Sequence, residues 1–226
     1  MKIMGSNNKV IQGDKSLKEY NLDRETCMGG WFIDTKICDD ILDYYEKNKH
    51  LVRPGVLSNI DNPNSEPFTK DYGTMKYSGQ LDENKKVSDD MLIQSVAYDV
   101  PWNRYRDELQ RCLNYYQMKY DEVNHIKRFQ VVEGYNIQHY PPGGGLKKWH
   151  CENDGWGENV FRSFVFMTYL NDVEDGGTDF KFQNLTTPAK KGLTLIWPAA
   201  WTHTHKSQIS TTSEKYIVTG WYSYYD

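Results

Sequence analysis

Two stretches of this chain carry residues able to share a metal ion. Trp149-His150-Cys151-Glu152 sets an imidazole and a carboxylate two positions apart, and Trp201-Thr202-His203-Thr204-His205 brings two further imidazoles about fifty residues later. In extended backbone, residues i and i+2 point to the same face, so His150 and Glu152 can reach one small cation. A distant histidine then completes two nitrogens and one carboxylate oxygen. This is the facial donor set that holds Fe(II) in non-haem oxygenases and leaves positions open for a co-substrate and O2. A His-x-Glu pair arises often by chance, so its weight depends on what surrounds it.

The elements that must position these residues can be sketched from the rest of the chain. At 226 residues there is ample length for one large domain. The 17 tyrosines and 7 tryptophans favour strands. A net charge of −4 argues against a general nucleic-acid binder. No apolar run approaches the ~18–20 residues of a membrane span, and the first residues lack an apolar signal core, so the expected location is cytoplasmic. Cys27, Cys38, Cys112 and Cys151 show no CxxC spacing, which excludes zinc-ribbon and redox readings and leaves free, mostly buried thiols. Cys151 lies between the paired residues and should face away from them.

Residues 1–30 read as a tail or peripheral strand. Asp34 is a suitable N-cap for a helix running from Ile37 to about Asn48, where apolar residues recur at helical spacing. Arg53-Pro54-Gly55 and Asp61-Asn62-Pro63-Asn64 read as surface loop. The strongest helix is expected over 101–123, opened by Pro101 and striped by Trp102, Tyr105, Leu109, Cys112, Leu113, Tyr116 and Met118. After residue 127 the pattern turns to short β-rich runs at 128–140, 161–170, 178–183, 193–198, 201–206 and 215–224, with a tight turn expected at 171–177. Such spacing suggests a jelly roll. The chain is therefore read as one α+β domain, with supporting helices and loops over 31–126 and a β-core over 127–226. In that core, Lys215 begins an apolar strand. A buried lysine needs a partner charge, which a dicarboxylate would supply.

Taken in order, His150-x-Glu152, Tyr169-Leu170-Asn171-Asp172, Gly176-Gly177-Thr178, Trp197-Pro198, His203, and Lys215 to Trp221 resemble the Fe(II)/2-oxoglutarate dioxygenases. The prolyl 4-hydroxylase-like branch, with its double-stranded β-helix (jelly-roll, cupin-like) core and preceding helices, matches best. The resemblance covers roughly residues 128–224. It implies a metal held by His150, Glu152 and a distal histidine, with Glu152 standing where most members have aspartate. The distal histidine is ambiguous. Counting forward from Trp197-Pro198 selects His203, and counting back from Lys215 selects His205; His203 is preferred.

The resemblance further implies that Lys215 pairs with the far carboxylate of 2-oxoglutarate, with Tyr140 and Thr178 contributing to the same co-substrate. Trp221 then shapes the pocket, and His139 is structural. The implied chemistry is hydroxylation of an unactivated C–H bond, with Fe(II), 2-oxoglutarate and O2, release of succinate and CO2, and ascorbate as a reductant. A prolyl residue in a peptide or protein is the first expected substrate, with no nucleic acid or membrane as partner. Tyr77, Trp156, Trp201 and Tyr222 are candidates to line a peptide groove. Two other readings stand beside this one: a cupin-like binding protein without oxygenase activity, and a metal-dependent hydrolase or isomerase on the same scaffold.

Overall fold

The computed structural model describes residues 16–55, 68–72, 75–79, 83–94 and 99–225, with side chains of 68–79 not included. The first part of the chain holds β1 (Lys18–Glu19), β2 (Gly29–Phe32), helix α1 (Thr35–Lys47), β3 (Arg53–Pro54), β4 (Phe68–Tyr72), β5 (Met75–Gly79), β6 (Lys86–Val87), β7 (Asp89–Ile93) and helix α2 (Trp102–Lys119). The second part holds β8 (Phe129–Gln130), β9 (Tyr135–Tyr140), β10 (Gly145–Leu146), β11 (Arg162–Tyr169), β12 (Val173–Phe180), β13 (Leu185–Ala189), β14 (Leu193–Pro198), β15 (His205–Ser207) and β16 (Lys215–Tyr224).

Both helices form where the apolar spacing placed them. The Asp34 side chain caps α1 by accepting the Lys36 amide, and α1 buries Ile37, Cys38, Ile41 and Tyr45 along one face. Helix α2 buries Trp102, Tyr105, Leu109, Cys112, Leu113 and Tyr116. Met118, placed in that stripe by its spacing, is instead 78% exposed, and a short 3-10 turn at Asp121–His125 replaces the last expected helical turn.

The strands make one large mixed-length sheet in the order β1-β2-β14-β11-β16-β9-β7-β3, with β8 also on β16, and a smaller sheet β13-β12-β15. Each pairing within them is antiparallel. Strand β11 shows how the layers are built. Its residues alternate faces, so Phe164 and Phe166 pack in one apolar cluster with α1 and α2. Val165, Met167 and Tyr169 pack in a second cluster with Phe180 of the small sheet and with Trp197. The large sheet thus carries helices on one face and the small sheet against the other.

Further expectations are corrected. The sheet does not begin after residue 127: β1, β2, β3 and β7 all join it, β7 by pairing with β9 from Asp89↔His139 to Ile93↔Tyr135. The acidic stretch at 174–177 is not a tight turn but part of β12, where the register to β13 shifts between Val173 and Thr178. Strand β13 lies in a stretch with no assigned element, and Thr202–His203 sits in a 3-10 turn rather than a strand. Residues 1–15 and Asp61–Asn64 lie outside the described residues. Residues 18–19 do form the expected peripheral strand, paired with β2. The free cysteines are buried at Cys38 and Cys112 and exposed at Cys27. None of the described helices is long and apolar enough to cross a membrane.

Candidate metal and co-substrate site

The loop before β11 is pinned to the start of β15 by its backbone. His150 N donates to His205 O at 3.0 Å and His205 N returns to His150 O at 2.9 Å, a two-way antiparallel bridge. Two residues on, Glu152 N and Asn153 N both donate to Ala199 O, at 3.1 and 2.9 Å. These four bonds set His150 and Glu152 beside the end of β14. The two side chains then meet as extended backbone requires, with His150 Nε2 3.2 Å from Glu152 Oε1. Cys151 turns away, its thiol donating to Asn153 O at 3.5 Å.

The third member of this group is His205. Its Nε2 lies 3.7 Å from Glu152 Oε1, its ring is centred 4.3 Å from that of His150, and the three ligand atoms lie within 4.8 Å of one another. The expectation that His203 joins the pair is corrected. His203 ends the short 3-10 turn Trp201–His203, so the rule that i and i+2 share a face does not apply between 203 and 205. Its Nε2 points elsewhere, to Thr26 O at 2.9 Å, and its Nδ1 meets the Thr202 hydroxyl at 3.0 Å. Burial lowers its pKa, opposed by the bond to Thr26.

The donor set fits a cation. A backbone carbonyl only accepts, so the contacts of His150 Nδ1 with Lys148 O (3.1 Å) and of His205 Nδ1 with His203 O (2.8 Å) place a proton on each Nδ1. Each Nε2 then presents its lone pair towards Glu152. Burial, and next the neighbouring His150, push His205 down to about 3, so it stays neutral. Burial pulls the Glu152 carboxyl upward, but His150, where its Nε2 carries a second proton, together with the His205 ring and Arg162, outweighs it and holds the carboxyl well below the usual carboxylate range. Two imidazole lone pairs and one carboxylate oxygen converge, and one proton cannot serve all three. Asp154, four positions after His150, lies outside this group and accepts Trp156 N at 3.0 Å and Asn159 Nδ2 at 3.2 Å.

These residues open onto a cavity of about 730 Å³, whose wall also includes Tyr140, Thr178, Ser207 and Lys215. Lys215 is 3% exposed. Its ammonium donates to Gly176 O (2.6 Å), Ser207 Oγ (2.6 Å) and Gln208 O (3.2 Å), all neutral acceptors. Among the described residues no carboxylate is in ion-pair contact with it. Burial pushes its pKa down to about 8, partly opposed by Asp175. The adjacent glycines are needed for this close packing. A Cβ on Gly176 would meet Val173 and approach Lys215 Cδ to 3.3 Å, and one on Gly177 would collide with Thr187 O. Tyr140 lies under the ammonium, 5.3 Å to its ring centroid, and donates to Gln138 Oε1 at 2.5 Å. The Thr178 hydroxyl meets Tyr169 OH at 2.7 Å.

Several cavity residues escaped the sequence reading. Lys86 and Asp90 form a buried pair at 2.7 Å on the wall. Arg162 is bonded to Glu133 and stacked 3.6 Å from the Trp221 ring. Arg162 carried the same signal as Lys215, a basic residue opening an apolar strand. Of the proposed groove aromatics, Trp156 and Trp201 are exposed, Tyr222 is buried in the core, and the Tyr77 side chain is outside those described. His139 is structural: it stacks on Tyr216 at 4.3 Å and bonds Glu214 at 2.9 Å.

Comparison with known proteins agrees with this layout. Residues 135–223 match the model of the 2OG-Fe(II) oxygenase superfamily. No curated protein sequence matches the chain. Among solved structures, a prolyl-4-hydroxylase of Pseudomonas putida is similar at a TM-score of 0.59, with 10% identity over 90% of this chain and 99% of that one. The viral collagen prolyl hydroxylase of Paramecium Bursaria Chlorella virus-1, in its 2OG complex, gives 0.59, with 16% identity over 93% and 97%. A Trichoplax adhaerens prolyl hydroxylase, in complex with a hypoxia inducible factor peptide fragment, gives 0.61, with 12% identity over 88% and 84%. At these identities the likeness is one of fold.

Proposed function

We propose that this chain, whose residues 135–223 match the model of the 2OG-Fe(II) oxygenase superfamily, is a 2-oxoglutarate-dependent dioxygenase that hydroxylates an unactivated C–H bond. A prolyl residue in a peptide or protein is the substrate we favour. We read the two facing sheets as a double-stranded β-helix and the chain as one domain. The observation that carries the reading is the pairing of two sites in one cavity: three metal-type donors at one place, and at another a buried lysine whose bonds, among the described residues, are to neutral acceptors.

In this reading His150, Glu152 and His205 hold Fe(II), which when bound supplies the oxidative chemistry with O2 and 2-oxoglutarate. The carbonyls of Lys148 and His203 keep each Nδ1 protonated, so that each Nε2 stays a ligand. Lys215 supplies the ammonium for the far carboxylate of 2-oxoglutarate as a charge-assisted pair. Burial makes that ammonium costly without an anion, so the protein selects a dicarboxylate over a monocarboxylate. Tyr140 lies beneath the Lys215 ammonium, and Thr178 shares that stretch of wall. Ascorbate is proposed as the reductant that keeps the iron ferrous.

A peptide substrate is supported by the fold it shares with prolyl hydroxylases and by the cavity, which is larger than a five-carbon diacid requires. The test is to incubate the protein with Fe(II), 2-oxoglutarate, ascorbate and a proline-rich peptide library in air. Succinate release matched by peptides gaining one oxygen atom is expected. Succinate release with no gain on proline would reject the prolyl substrate, and no succinate under any condition would favour a cupin-like binding protein.

A further inference from the structure

We infer that Trp221 and Arg162 are positioning residues that make Glu152 a one-oxygen ligand, presenting Oε1 to the metal and withholding Oε2. This rests on the metal site proposed above. The two carboxylate oxygens have separate surroundings. Oε1 faces the imidazoles, 3.2 Å from His150 Nε2 and 3.7 Å from His205 Nε2. Oε2 accepts the indole N–H of Trp221 at 2.9 Å and lies 3.6 Å from Arg162 Nη1. An indole has a single donor in a fixed direction, so this bond orients the carboxylate as well as neutralising part of its charge.

A glutamate has more rotamer freedom to lose than a shorter acid, and an unrestrained carboxylate can offer both oxygens to one cation. The second oxygen would then compete for a position that a facial triad leaves open. Here the restraint is itself braced. Arg162 stacks 3.6 Å from the Trp221 ring centroid and commits Nε and Nη2 to Glu133, at 3.1 and 2.7 Å. That leaves Nη1 for Glu152, whose backbone carbonyl it also approaches at 3.4 Å. Ser223, on the same strand as Trp221, donates to Glu133 at 2.9 Å. The path from Glu133 to Oε2 is therefore continuous through side chains that are each mostly buried.

The test measures Mn2+ affinity by calorimetry, with thermal unfolding to confirm the fold, in wild type, Trp221→Phe, Glu152→Asp and the double variant. Phenylalanine keeps a ring beneath Arg162 and removes the N–H. Aspartate is a methylene too short to keep both Oε1 at the imidazoles and Oε2 at Trp221. Each single change is expected to weaken Mn2+ by about tenfold or more, and the double variant by no more than the worse single, since both remove the same contact. Unchanged affinity in Trp221→Phe, or losses that multiply in the double variant, would reduce Trp221 to packing and overturn the inference. Should Trp221→Phe not fold, Glu152→Asp decides alone: undiminished affinity there overturns it. A wild type that binds no Mn2+ would instead overturn the metal site itself.

Discussion

The two ends of the cavity solve opposite electrostatic problems. At one end the carboxylate of Glu152 is surrounded by compensation: two imidazoles, the Trp221 donor and the Arg162 guanidinium. At the other, Lys215 is more deeply buried, at 3% exposure, and among the described residues its ammonium bonds two carbonyls and a hydroxyl. Burying a charge is expensive unless it is paired. At the first end the charges are set by neighbouring side chains, and the donor atoms of His150, Glu152 and His205 lie within 4.8 Å of one another. At the second, the described acceptors of the ammonium are all neutral. In the proposed reading, a single bidentate molecule with a carboxylate at its far end would complete both.

The largest break in this contrast comes from Lys215→Met. It removes the uncompensated charge while filling its space, so 2-oxoglutarate affinity should fall by on the order of 10² to 10³, with Mn2+ affinity unchanged. Equilibrium titration of each ligand checks this; unaltered 2-oxoglutarate binding would reject the lysine's assignment.

The second effect is on pH. Lys215 is pushed from 10.5 down to about 8. Between those values the unfolded chain carries a proton that the native protein lacks, so the ligand-free protein should gain stability as pH rises from about 8 towards 10.5. Chemical denaturation across that range should show this slope in wild type and lose the Lys215 share of it in Lys215→Met. Co-substrate affinity runs the other way: nearly flat below about pH 8, it should decline about tenfold per unit above it, as the ammonium is lost. A flat profile to pH 10 would show that the ammonium is not what the carboxylate meets.

A smaller effect separates His203 from its neighbour. His203→Ala should cost about 1–3 kcal/mol of stability, because it opens space and strands the Thr26 carbonyl. Mn2+ affinity should stay unchanged, which a melting curve and a metal titration on the same sample will show.

Much of this arrangement was legible in the sequence because it depends on local chemistry. The α2 stripe and the pairing of His150 with Glu152 follow from periods of 3.6 and 2, and Asp34 as a cap follows from its short acceptor side chain at a helix start. The rest depended on long-range pairing. Strand β7 reads Asp89-Asp90-Met91-Leu92-Ile93, whose acidic start hides a strand that only β9 makes necessary. The 174–177 stretch looked like a turn because its Glu-Asp-Gly-Gly composition suits one, yet it runs inside β12 as an irregular segment between Val173 and Thr178, the flanking residues that pair with β13. The choice between His203 and His205 hinged on one 3-10 turn, and backbone geometry at that scale is set by what Thr26 and His150 offer from elsewhere in the chain. Arg162 was visible as a charge at a strand start, but its partners Glu133 and Trp221 are 29 and 59 residues away.

The central claim is that His150, Glu152 and His205 hold the iron on which 2-oxoglutarate docks. It is tested most directly by adding Fe(II) and 2-oxoglutarate without oxygen and recording the visible charge-transfer absorption of the resulting complex. The band is expected in wild type and in His203→Ala, and absent in His205→Ala. A band that survives His205→Ala and disappears in His203→Ala, or one missing from the folded wild type, would contradict the account.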